Sequence, residues 1–511
     1  MFEAAELGQT LDEAIYKERL PLLREQLLAA QMQLRSQARF PVILVFGGVA
    51  SAGKGETVKK LTEWMDPRFI EVHAVGPASD EELERPPMWR FWRRLPAQGK
   101  IGVFFGSWYL DPIHRRVFEK GREGDLVAAL GEIRRFEQML ADEGALILKF
   151  WFHLSKKAQR RRLDELRSDK KTRYRVERED LEQAEKYDAY RSAAARVLSE
   201  TDAHHAPWLV VEGFDRRYRN FRTGEALLTA LQRRLAEPEK ERGAAATGGT
   251  DVASGENGPS GASTALPAIE RTPVVRTLDL TLSLDKEEYE AELEEQQRRL
   301  GLATRRRRFR RLSPVIVFEG VDAAGKGGAI RRVTGALDAR LYDVHSIAAP
   351  TDEEKRQPYL WRFWRNMPRD GKFAIYDRSW YGRVLVERVE GFATLDEWRR
   401  AYAEINDFES QLVRAGNVVV KLWLQISKEE QLRRFHEREE IAFKRFKITP
   451  EDWRNRDKWD AHERAASDMI EHTSTEHAPW TLVEAEDKRY ARVKILKTIA
   501  DAIEAAQARA R

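Results

Sequence analysis

The sequence contains no cysteine in 511 residues. Disulfide bonds, thiolate zinc sites and cysteine nucleophiles are therefore excluded, which fits a reducing compartment. The sequence also lacks an apolar run of about 18 residues, the length that a membrane-spanning helix needs. The first residues contain neither the basic nor the apolar region of a signal peptide. We therefore expect a soluble, cytoplasmic protein.

A strong excess of either charge is also missing. The chain has 89 Lys and Arg against 84 Asp and Glu, a formal net charge of +5. Local basic patches therefore matter more than the total charge. The chain is longer than the roughly 250 to 300 residues at which a single hydrophobic core stops growing, so two domains are expected.

What the sequence does contain is an apolar strand followed by a glycine-rich loop. The run PVIV at 314–317 leads into FEGVDAAGKGG at 318–328. A β-branched strand that turns into Gly-x-x-x-x-Gly-Lys is typical of a phosphate-binding loop, whose backbone N–H groups and following helix favour anions. The predicted phosphate-binding residues of this loop are Gly320, Ala323, Ala324, Gly325, Lys326, Gly327 and Gly328.

Carboxylates are expected to hold the metal ion of this site. Gly327 stands where phosphate-binding loops usually carry a Ser or Thr that reaches Mg²⁺, and Asp322 lies inside the loop instead. Asp377 follows the apolar run FAIY at 373–376, the arrangement in which a carboxylate at a strand end binds Mg²⁺ directly or through water. A helix N-cap is the alternative role for Asp377.

Two arginines follow Asp377 closely. A guanidinium group is suited to bidentate contact with phosphate, so Arg378 and Arg383 are candidates for binding the transferred phosphoryl group. The alternative is a structural ion pair with a neighbouring acid such as Glu387, which we also include among the predicted binding residues.

A basic segment lies at 438–450, between the fourth strand and a helix that opens at Thr449-Pro450. In nucleotide kinases a lid occupies this place, where its cations cover the phosphates and exclude water. A solvated basic face is the alternative. The predicted lid residues that meet phosphate are Arg438, Lys444, Arg445 and Lys447.

The sequence contains the same pattern twice, with an offset of 272 residues. GGVASAGKGE at 47–56 matches the loop at 319–328, WRFW at 89–92 matches 361–364, and HAPW at 205–208 matches 477–480. Between the copies, 243–264 consists mostly of Gly, Ala, Ser and Thr, a composition typical of a flexible linker. We expect domains at 1–238 and 273–511, joined by a linker at 239–272.

Strands alternate with helical stretches in each copy. In the second copy the predicted strands are 315–318, 343–347, 373–376, 418–426 and 480–483. Such alternation predicts a parallel sheet with helices on both faces and a site at the carboxyl ends of the strands. The fold class is therefore a tandem pair of P-loop kinase-like α/β/α domains, each with a parallel sheet and a helical lid.

The basic run RRRRFRR at 305–311 raises nucleic acid as a partner. No nucleic-acid motif surrounds it. A guide for a polyanion or a solvated helix end is the preferred interpretation, and no nucleic-acid partner is predicted.

The four segments EGVDAAGKGG (319–328), DRSWYGR (377–383), FKITPED (446–452) and HAPW (477–480) with DKRY (487–490) together resemble the polyphosphate kinase 2 family. The resemblance covers nearly all of both copies. It implies Mg²⁺-assisted phosphoryl transfer between inorganic polyphosphate and a nucleotide. The tandem layout resembles the fused members that phosphorylate AMP to ADP, and a homo-oligomer, most simply a dimer, is expected.

The same family pattern implies roles for individual residues of the second copy. Asp322 and Asp377 would hold Mg²⁺, and Lys326 would bind the phosphates. Arg378 and Arg383 would orient donor and acceptor, and the lid cations would meet polyphosphate. Gly382 replaces the Asn that is common in the family.

The first copy departs from this pattern at the charged positions. Both metal-binding carboxylates are replaced, so we predict that this copy keeps the fold but is inactive. The differing residues are Ala50 for Asp322, Glu56 for Gly328, Phe105 for Asp377, Gly106 for Arg378 and Asp111 for Arg383.

Other functions remain open from the sequence. An ATP-dependent nucleoside monophosphate kinase of the thymidylate-kinase type would also carry Asp-Arg after a strand and a lid. A polyphosphate kinase acting on nucleoside diphosphates, or a nucleotide-gated module that binds polyanion or RNA with little turnover, are the further alternatives.

Overall fold

A computed structural model describes residues 1–119, 121–238, 272–440, 448 and 450–509. The chain forms two compact units, which consist mainly of its first and second halves. The first unit also includes Pro350–Arg365, and the second also includes Asp80–Pro87. Most of the predicted linker, 239–271, lies outside the described residues, so its predicted flexibility stays a prediction.

The described part of the first half of the chain contains five strands and ten α-helices. The strands are β1 Val42–Gly48, β2 Ile70–Ala74, β3 Ile101–Phe105, β4 Leu146–His153 and β5 Trp208–Glu212. The helices are α1 Glu13–Gln37, α2 Lys54–Trp64, α3 Asp80–Leu83, α4 Trp89–Trp92, α5 Leu110–Phe118, α6 Glu123–Asp142, α7 Lys156–Ser168, α8 Arg178–Glu185, α9 Tyr187–Thr201 and α10 Arg216–Ala236.

The described part of the second half has the same number of elements. The strands are β6 Ser313–Gly320, β7 Tyr342–Ser346, β8 Phe373–Asp377, β9 Asn417–Gln425 and β10 Trp480–Glu484. The helices are α11 Lys286–Arg305, α12 Lys326–Gly335, α13 Asp352–Lys355, α14 Trp361–Trp364, α15 Val386–Val389, α16 Leu395–Arg414, α17 Lys428–Glu440, α18 Pro450–Asp457, α19 Trp459–Thr473 and α20 Lys488–Arg509.

Each half contributes one five-stranded parallel sheet, with the order β2-β3-β1-β4-β5 in one and β7-β8-β6-β9-β10 in the other. The two orders are equivalent, and the strand that leads into the glycine-rich loop is central in both. Phe318 pairs with Asp377 and Gly320 pairs with Leu424, so the ends of three strands meet at one edge. The predicted tandem α/β fold with parallel sheets is confirmed.

The predicted strands agree with the observed ones to within two residues at each end. The apolar residues of 11–39 have helical spacing that Pro21 is expected to interrupt, but Pro21 lies inside α1 and does not interrupt it. Leu23, Leu27 and Leu34, which follow Pro21, are buried and give this helix a packed face. We infer that this packing offsets the hydrogen bond that proline cannot donate.

The core of the second unit lies between the sheet and the helices on its faces. Ile316 and Phe318 of β6 and Leu422 of β9 are fully buried, and they pack in one cluster with Val333 of α12 and Ile499 of α20. This packing fixes the direction of β6, so the loop that follows it emerges at a defined point of the sheet edge.

A buried polar network also lies behind that edge. Lys421 of β9 donates to Glu409 (2.8 Å), to the hydroxyl of Tyr381 (3.0 Å) and to the carbonyl of Thr473 (2.6 Å). Trp380 also donates to Glu409, at 3.0 Å. The network fixes the segment after Asp377 by tying two of its side chains to neighbouring elements.

Within the described ranges, no helix is long and apolar enough to cross a membrane.

Candidate active site

The glycine-rich loop of the second unit connects β6 to α12. Gly320 has φ 143°, and a Cβ there would lie 2.3 Å from the carbonyl oxygen of Leu424, so only glycine allows the two strands to approach. Gly325 is the N-cap of α12 with φ 110°. The Nζ of Lys326 donates to the carbonyls of Gly320 (2.7 Å) and Val321 (3.2 Å). Lys326 therefore lies across the loop at which it was predicted to bind phosphate.

Asp322 lies at the mouth of this loop. Its carboxylate accepts hydrogen bonds from Arg378 (3.1 Å) and from Nδ2 of Asn455 (2.8 Å). Burial alone would raise the pKa of Asp322, but the charges of Lys326 and Arg378 outweigh it, and the pKa lies below its ordinary value. The side chain is therefore a carboxylate held in a defined orientation, as a metal ligand needs to be.

Arg378 adopts a backbone conformation that is rare for a residue with a side chain. Its φ is 64°, in the left-handed region, and its equivalent in the first unit is Gly106, with φ 74°. The fold therefore requires a positive φ at this place in both units. A non-glycine residue there costs on the order of 1 kcal/mol of stability. The presence of an arginine despite this cost indicates that its side chain has a function.

The charge of Arg378 is balanced by several acids. Burial would lower its pKa, but the charges of Asp322, Glu319 and Asp377 raise it above the ordinary value. Asp377 is the last residue of β8, as predicted. Glu319 is buried and accepts a hydrogen bond from Ser379 (2.8 Å), and its burial raises the pKa of this carboxyl. The sequence analysis assigned no role to Glu319.

A cleft opens beside Asp322 and Arg378. Gly320, Gly382 and the apolar Leu385 and Val386 contribute to it. Its lining also contains residues that were not predicted: Trp423, Asn455, Trp459 and His462. Oδ1 of Asn455 and Nε2 of His462 are buried and have no hydrogen-bond partner among the described residues. We call this the acidic cleft, after Glu319 and Asp322.

A second cleft lies on the other side of the loop. Ala323, Ala324, Gly325 and Gly328 line it together with the acid Glu437 and four cations: Arg434, Arg438, Lys488 and Arg492. Arg434 donates to the carbonyls of Ala323 (3.0 Å) and Ala324 (3.1 Å), which orients the loop. We call this the basic cleft. Of its cations only Arg438 was predicted from the sequence.

Other predicted residues lie apart from these two clefts. Arg383 forms an ion pair with Glu387 at 2.8 Å, and neither residue lines the acidic cleft. No described residue lies within 4 Å of a Cβ placed on Gly327. The lid residues Lys444, Arg445 and Lys447 lie outside the described residues, so their role stays a prediction. The helix predicted to open at Pro450 does begin there, as α18.

Some of the residues that were not predicted differ between the two copies of the repeat. Arg492 aligns with Asn220 of the first copy, Ala491 with Arg219, and Asn455 with Gln183. Each pair differs in charge or in side-chain length. Comparing the copies along the whole offset, and not only within the motifs, identifies these positions.

The loop of the first unit has the same backbone but different surroundings. Ser51 and Ala323, which are equivalent, have φ 60° and 64°. In the first unit, however, Arg219 forms an ion pair with Glu56, and a Cβ on Gly53 would lie 2.3 Å from the Arg219 guanidinium. A Cβ on Gly325 of the second unit would meet none of the described residues within 4 Å. An internal ion pair therefore fills the first loop.

The environment of Lys54 in the first loop also differs from that of an anion site. Burial lowers its pKa to about 8, and the charge of Asp180 only partly opposes this. Ala50, Phe105 and Gly106 leave the loop without the acids and the arginine of the second unit. The predicted loss of charged residues is therefore accompanied by a change in packing.

Comparison with known proteins identifies the family. The family model for polyphosphate kinase 2 (PPK2) matches residues 10–239 and 283–511. A polyphosphate:AMP phosphotransferase of Pseudomonas aeruginosa is 53% identical over 99% of both chains. One of Pseudomonas syringae pv. tomato is 52% identical over 100% of this chain and 99% of its own.

A solved structure agrees with these matches. A crystal structure described as a polyphosphate kinase 2 from Pseudomonas aeruginosa PA01 superposes with a TM-score of 0.88, with 52% identity and 100% of both chains covered. The repeated loop, the acids of the second unit and the full-length similarity lead to one assignment: the chain belongs to the polyphosphate kinase 2 family.

Proposed function

We propose that the protein transfers the terminal phosphoryl group of inorganic polyphosphate to AMP, which gives ADP. The observation that carries the proposal is the meeting of Asp322, Lys326 and Arg378 at the second loop. It occurs in a chain similar over its whole length to proteins named polyphosphate:AMP phosphotransferases. The second unit is the working one in this proposal.

The basic cleft is suited to the donor. Polyphosphate is a polyanion, and Arg438, Lys488 and Arg492 place positive charge beside the loop that would bind its terminal phosphates. Lys488 is half-buried, and its pKa is lowered by burial and by the charge of Arg434. An anion in this cleft would relieve the repulsion between these cations.

The acidic cleft is suited to the acceptor. Its apolar and aromatic walls, Leu385, Val386 and Trp459, fit a nucleoside, and Arg378 lies where the acceptor phosphate would enter. Asn455 and His462 each offer an unpaired polar atom to such a ligand. An amide oxygen and an imidazole nitrogen recognise donor and acceptor groups of a base or a ribose.

Mg²⁺ is part of the proposal. No group of three or more His, Asp or Glu side chains that fits a metal ion occurs in the described ranges. Mg²⁺ does not require one, because it is commonly bound by one or two carboxylates together with substrate phosphates and water. Asp322 and Asp377 are the carboxylates that would hold it. Bound Mg²⁺ would neutralise the charge on the phosphates.

The reaction depends on the positioning of the substrates and on the stabilisation of charge more than on a general base. An ionised oxygen of the AMP phosphate attacks the terminal phosphorus of polyphosphate, and the bond from that phosphorus to its bridging oxygen breaks. The products are ADP and a polymer that is one phosphate shorter. Lys326 and Arg378 would stabilise the charge that spreads over the transferred group. Glu319 acts through Ser379, by holding the segment that carries Arg378.

The first unit is not a reaction centre in this proposal. Its loop is filled by the pair of Arg219 and Glu56, and it lacks both carboxylates. A structural role, like that of a second subunit in a dimer of single domains, is the remaining one. We propose that the protein acts in the cytoplasm, where AMP is available, and assembles as a homodimer, which analytical ultracentrifugation tests.

The deciding experiment supplies AMP, Mg²⁺ and long-chain polyphosphate without ATP and measures ADP by chromatography. ADP formation is expected. Parallel reactions with ATP as donor, and with ADP or GDP as acceptor, test the nucleoside monophosphate kinase and the diphosphate-specific alternatives. ADP formed only with ATP would replace the proposal, and tight polyphosphate binding without any transfer would favour a binding module.

A further inference from the structure

A cluster of cations lies at the edge of the second sheet where its strands begin. The 3₁₀ turn Arg307–Arg311 connects α11 to β6, and Leu312 O accepts a hydrogen bond from N of Gly371, which precedes β8. The candidate active site follows the other end of β6. We call this cluster the basic edge, and its members are exposed: Arg305, Arg306, Arg307, Arg308, Arg310, Arg311 and Lys372.

The cations of the basic edge form no ion pairs among the described residues, although the charges of Asp338 and Asp370 act on Arg305 and Arg311. Within the described ranges, only two of the seven make a side-chain hydrogen bond: Arg306 donates to the side chain of Gln507 (3.3 Å), and Arg308 donates to its carbonyl (2.9 Å). Crowded like charges repel and do not stabilise a fold. The cluster therefore points to a ligand of opposite charge.

The first unit shows that the fold does not need this cluster. With the offset of 272 the segment corresponds to 33–39, QLRSQAR, which contains two arginines. The cations at the equivalent edge all contact other residues of the first unit: Arg35 stacks on Phe69 at 4.1 Å, Arg39 donates to the carbonyls of Leu235 and Glu237, and Lys100 pairs with Glu71 at 2.6 Å.

We propose that the basic edge is a second polyphosphate site, which holds a distal part of the polymer whose end reacts at the loop. The proposal rests on the proposed function. Polyphosphate carries charge along its whole length, and guanidinium groups suit phosphate oxygens. The eight residues of β6 separate the edge from the loop by about 26 Å. Only a polymer that spans this distance occupies both sites.

The chemistry of the basic edge favours polyphosphate over nucleic acid. Single-stranded nucleic acids are bound by cations together with aromatic rings on which bases stack. The aromatic residue of the segment, Phe309, is 2% exposed and belongs to the core. The edge therefore offers charge without a stacking surface, which matches a polymer of phosphates alone.

Two contacts with one polymer raise the local concentration of its reactive end. The test neutralises the four arginines without side-chain hydrogen bonds: Arg305→Gln, Arg307→Gln, Arg310→Gln and Arg311→Gln in one variant. We expect the KM for long-chain polyphosphate to rise about tenfold, while kcat and the KM for tripolyphosphate stay within about twofold. Fluorescence anisotropy of labelled long-chain polyphosphate should show the same weakening and a shallower salt dependence.

A control variant removes the same charge from exposed positions of the first unit: Arg24→Gln, Arg160→Gln, Arg167→Gln and Arg173→Gln. It should bind long and short donors like the wild type. An unchanged KM and unchanged binding for the long chain in the basic-edge variant would overturn the proposal. Equal losses for long and short donors would assign the effect to the active site and also overturn it.

A third outcome separates the ligand classes. If the variant loses RNA binding but keeps polyphosphate binding, the edge is a nucleic-acid site. Failure of the proposed function is distinguishable, because it would appear as no ADP from any polyphosphate with the wild-type protein. The anisotropy measurement would still decide whether the basic edge binds polyphosphate in that case.

Discussion

Arg219 pairs with Glu56 directly over the phosphate loop of the first unit. The equivalent residues of the second unit are Ala491 and Gly328, which leave the corresponding space to the basic cleft. The two charged residues compensate each other, so an ion pair between buried Arg219 and partly exposed Glu56 occupies a place that otherwise suits an anion. This pair gives the first unit a stable loop without a ligand.

The two loop lysines should therefore differ in their effect on catalysis. Lys326→Ala should lower kcat by on the order of a hundredfold to a thousandfold, because one charge that stabilises the transferred group is removed. Lys54→Ala, the matched variant of the first unit, should change kcat by less than about twofold. ADP formation from polyphosphate and AMP measures both. Comparable losses from the two variants would refute the inactivity of the first unit.

The left-handed backbone conformation of Arg378 predicts that its alanine and glycine variants lose activity alike but differ in stability. Arg378→Ala and Arg378→Gly both remove the guanidinium and should both abolish most transfer. The glycine variant should be more stable than the alanine variant by about 1 kcal/mol, because only glycine adopts φ 64° without strain. Urea unfolding of the two variants measures the difference.

The control for this prediction is in the first unit. Gly106→Ala places the same strain at φ 74°, and a Cβ there would also lie 2.5 Å from the carbonyl of Val75. It should lower the free energy of unfolding without lowering kcat. Equal stabilities of Arg378→Ala and Arg378→Gly would mean that no strain is stored at this position.

The sequence predicted the sheet and the loop because their signals are local. A β-branched run, fixed glycines and a lysine define β6 and the residues after it, and the offset of 272 extends the same interpretation to β1. Most of the other residues that line the two clefts were not predicted, because they lie on helices that are distant from the loop in the sequence. Arg434 of α17 and Arg492 of α20 reach the loop only through the packing of those helices on the sheet.

Arg383 is a motif residue whose role the sequence did not decide. Its place in the motif favours a phosphate contact, which stays a prediction, and the structure pairs it with Glu387 at 2.8 Å, as the alternative role also predicts. Spacing along the chain allows Arg383 to reach either a phosphate or Glu387. The conformation of the turn at 380–383 decides which of the two it contacts. The motif alone could not distinguish these roles.

The buried pair of Lys421 and Glu409 should stabilise the second unit. Both side chains are fully buried, so Lys421→Met leaves an unpaired buried carboxylate and should cost about 3 to 5 kcal/mol. Adding Glu409→Gln should restore much of the loss, because the amide keeps an oxygen for Trp380 and Tyr381 without the charge. Urea unfolding measures both effects. If the double variant were no more stable than the single one, the unpaired charge would not be the cause.

The equivalent change in the first unit separates stability from catalysis. Lys149 makes the same contacts with Glu137 (2.7 Å) and Tyr109 (2.9 Å). Lys149→Met should lower stability to a similar extent while kcat/KM for AMP stays within about twofold, because the working loop is in the other unit. A loss of kcat/KM with retained folding would assign a catalytic contribution to the first unit.

Asp322 should be required for metal binding and not only for turnover. Asp322→Asn keeps the size of the side chain but removes its charge, so we expect kcat to fall by about a hundredfold or more and the Mg²⁺ concentration for half-maximal rate to rise. Mn²⁺ binding followed by electron paramagnetic resonance should weaken in parallel, which is independent of turnover. Asp377→Asn should act in the same direction.

Asn455 provides a finer test of the same carboxylate. Its Nδ2 holds Oδ2 of Asp322 at 2.8 Å, so Asn455→Ala should raise the Mg²⁺ requirement severalfold and leave the rate at saturating Mg²⁺ closer to that of the wild type. Asp457→Asn, an exposed acid on the same helix, is the control and should change neither quantity. Wild-type Mn²⁺ affinity in both Asp322→Asn and Asp377→Asn would mean that the metal is bound elsewhere.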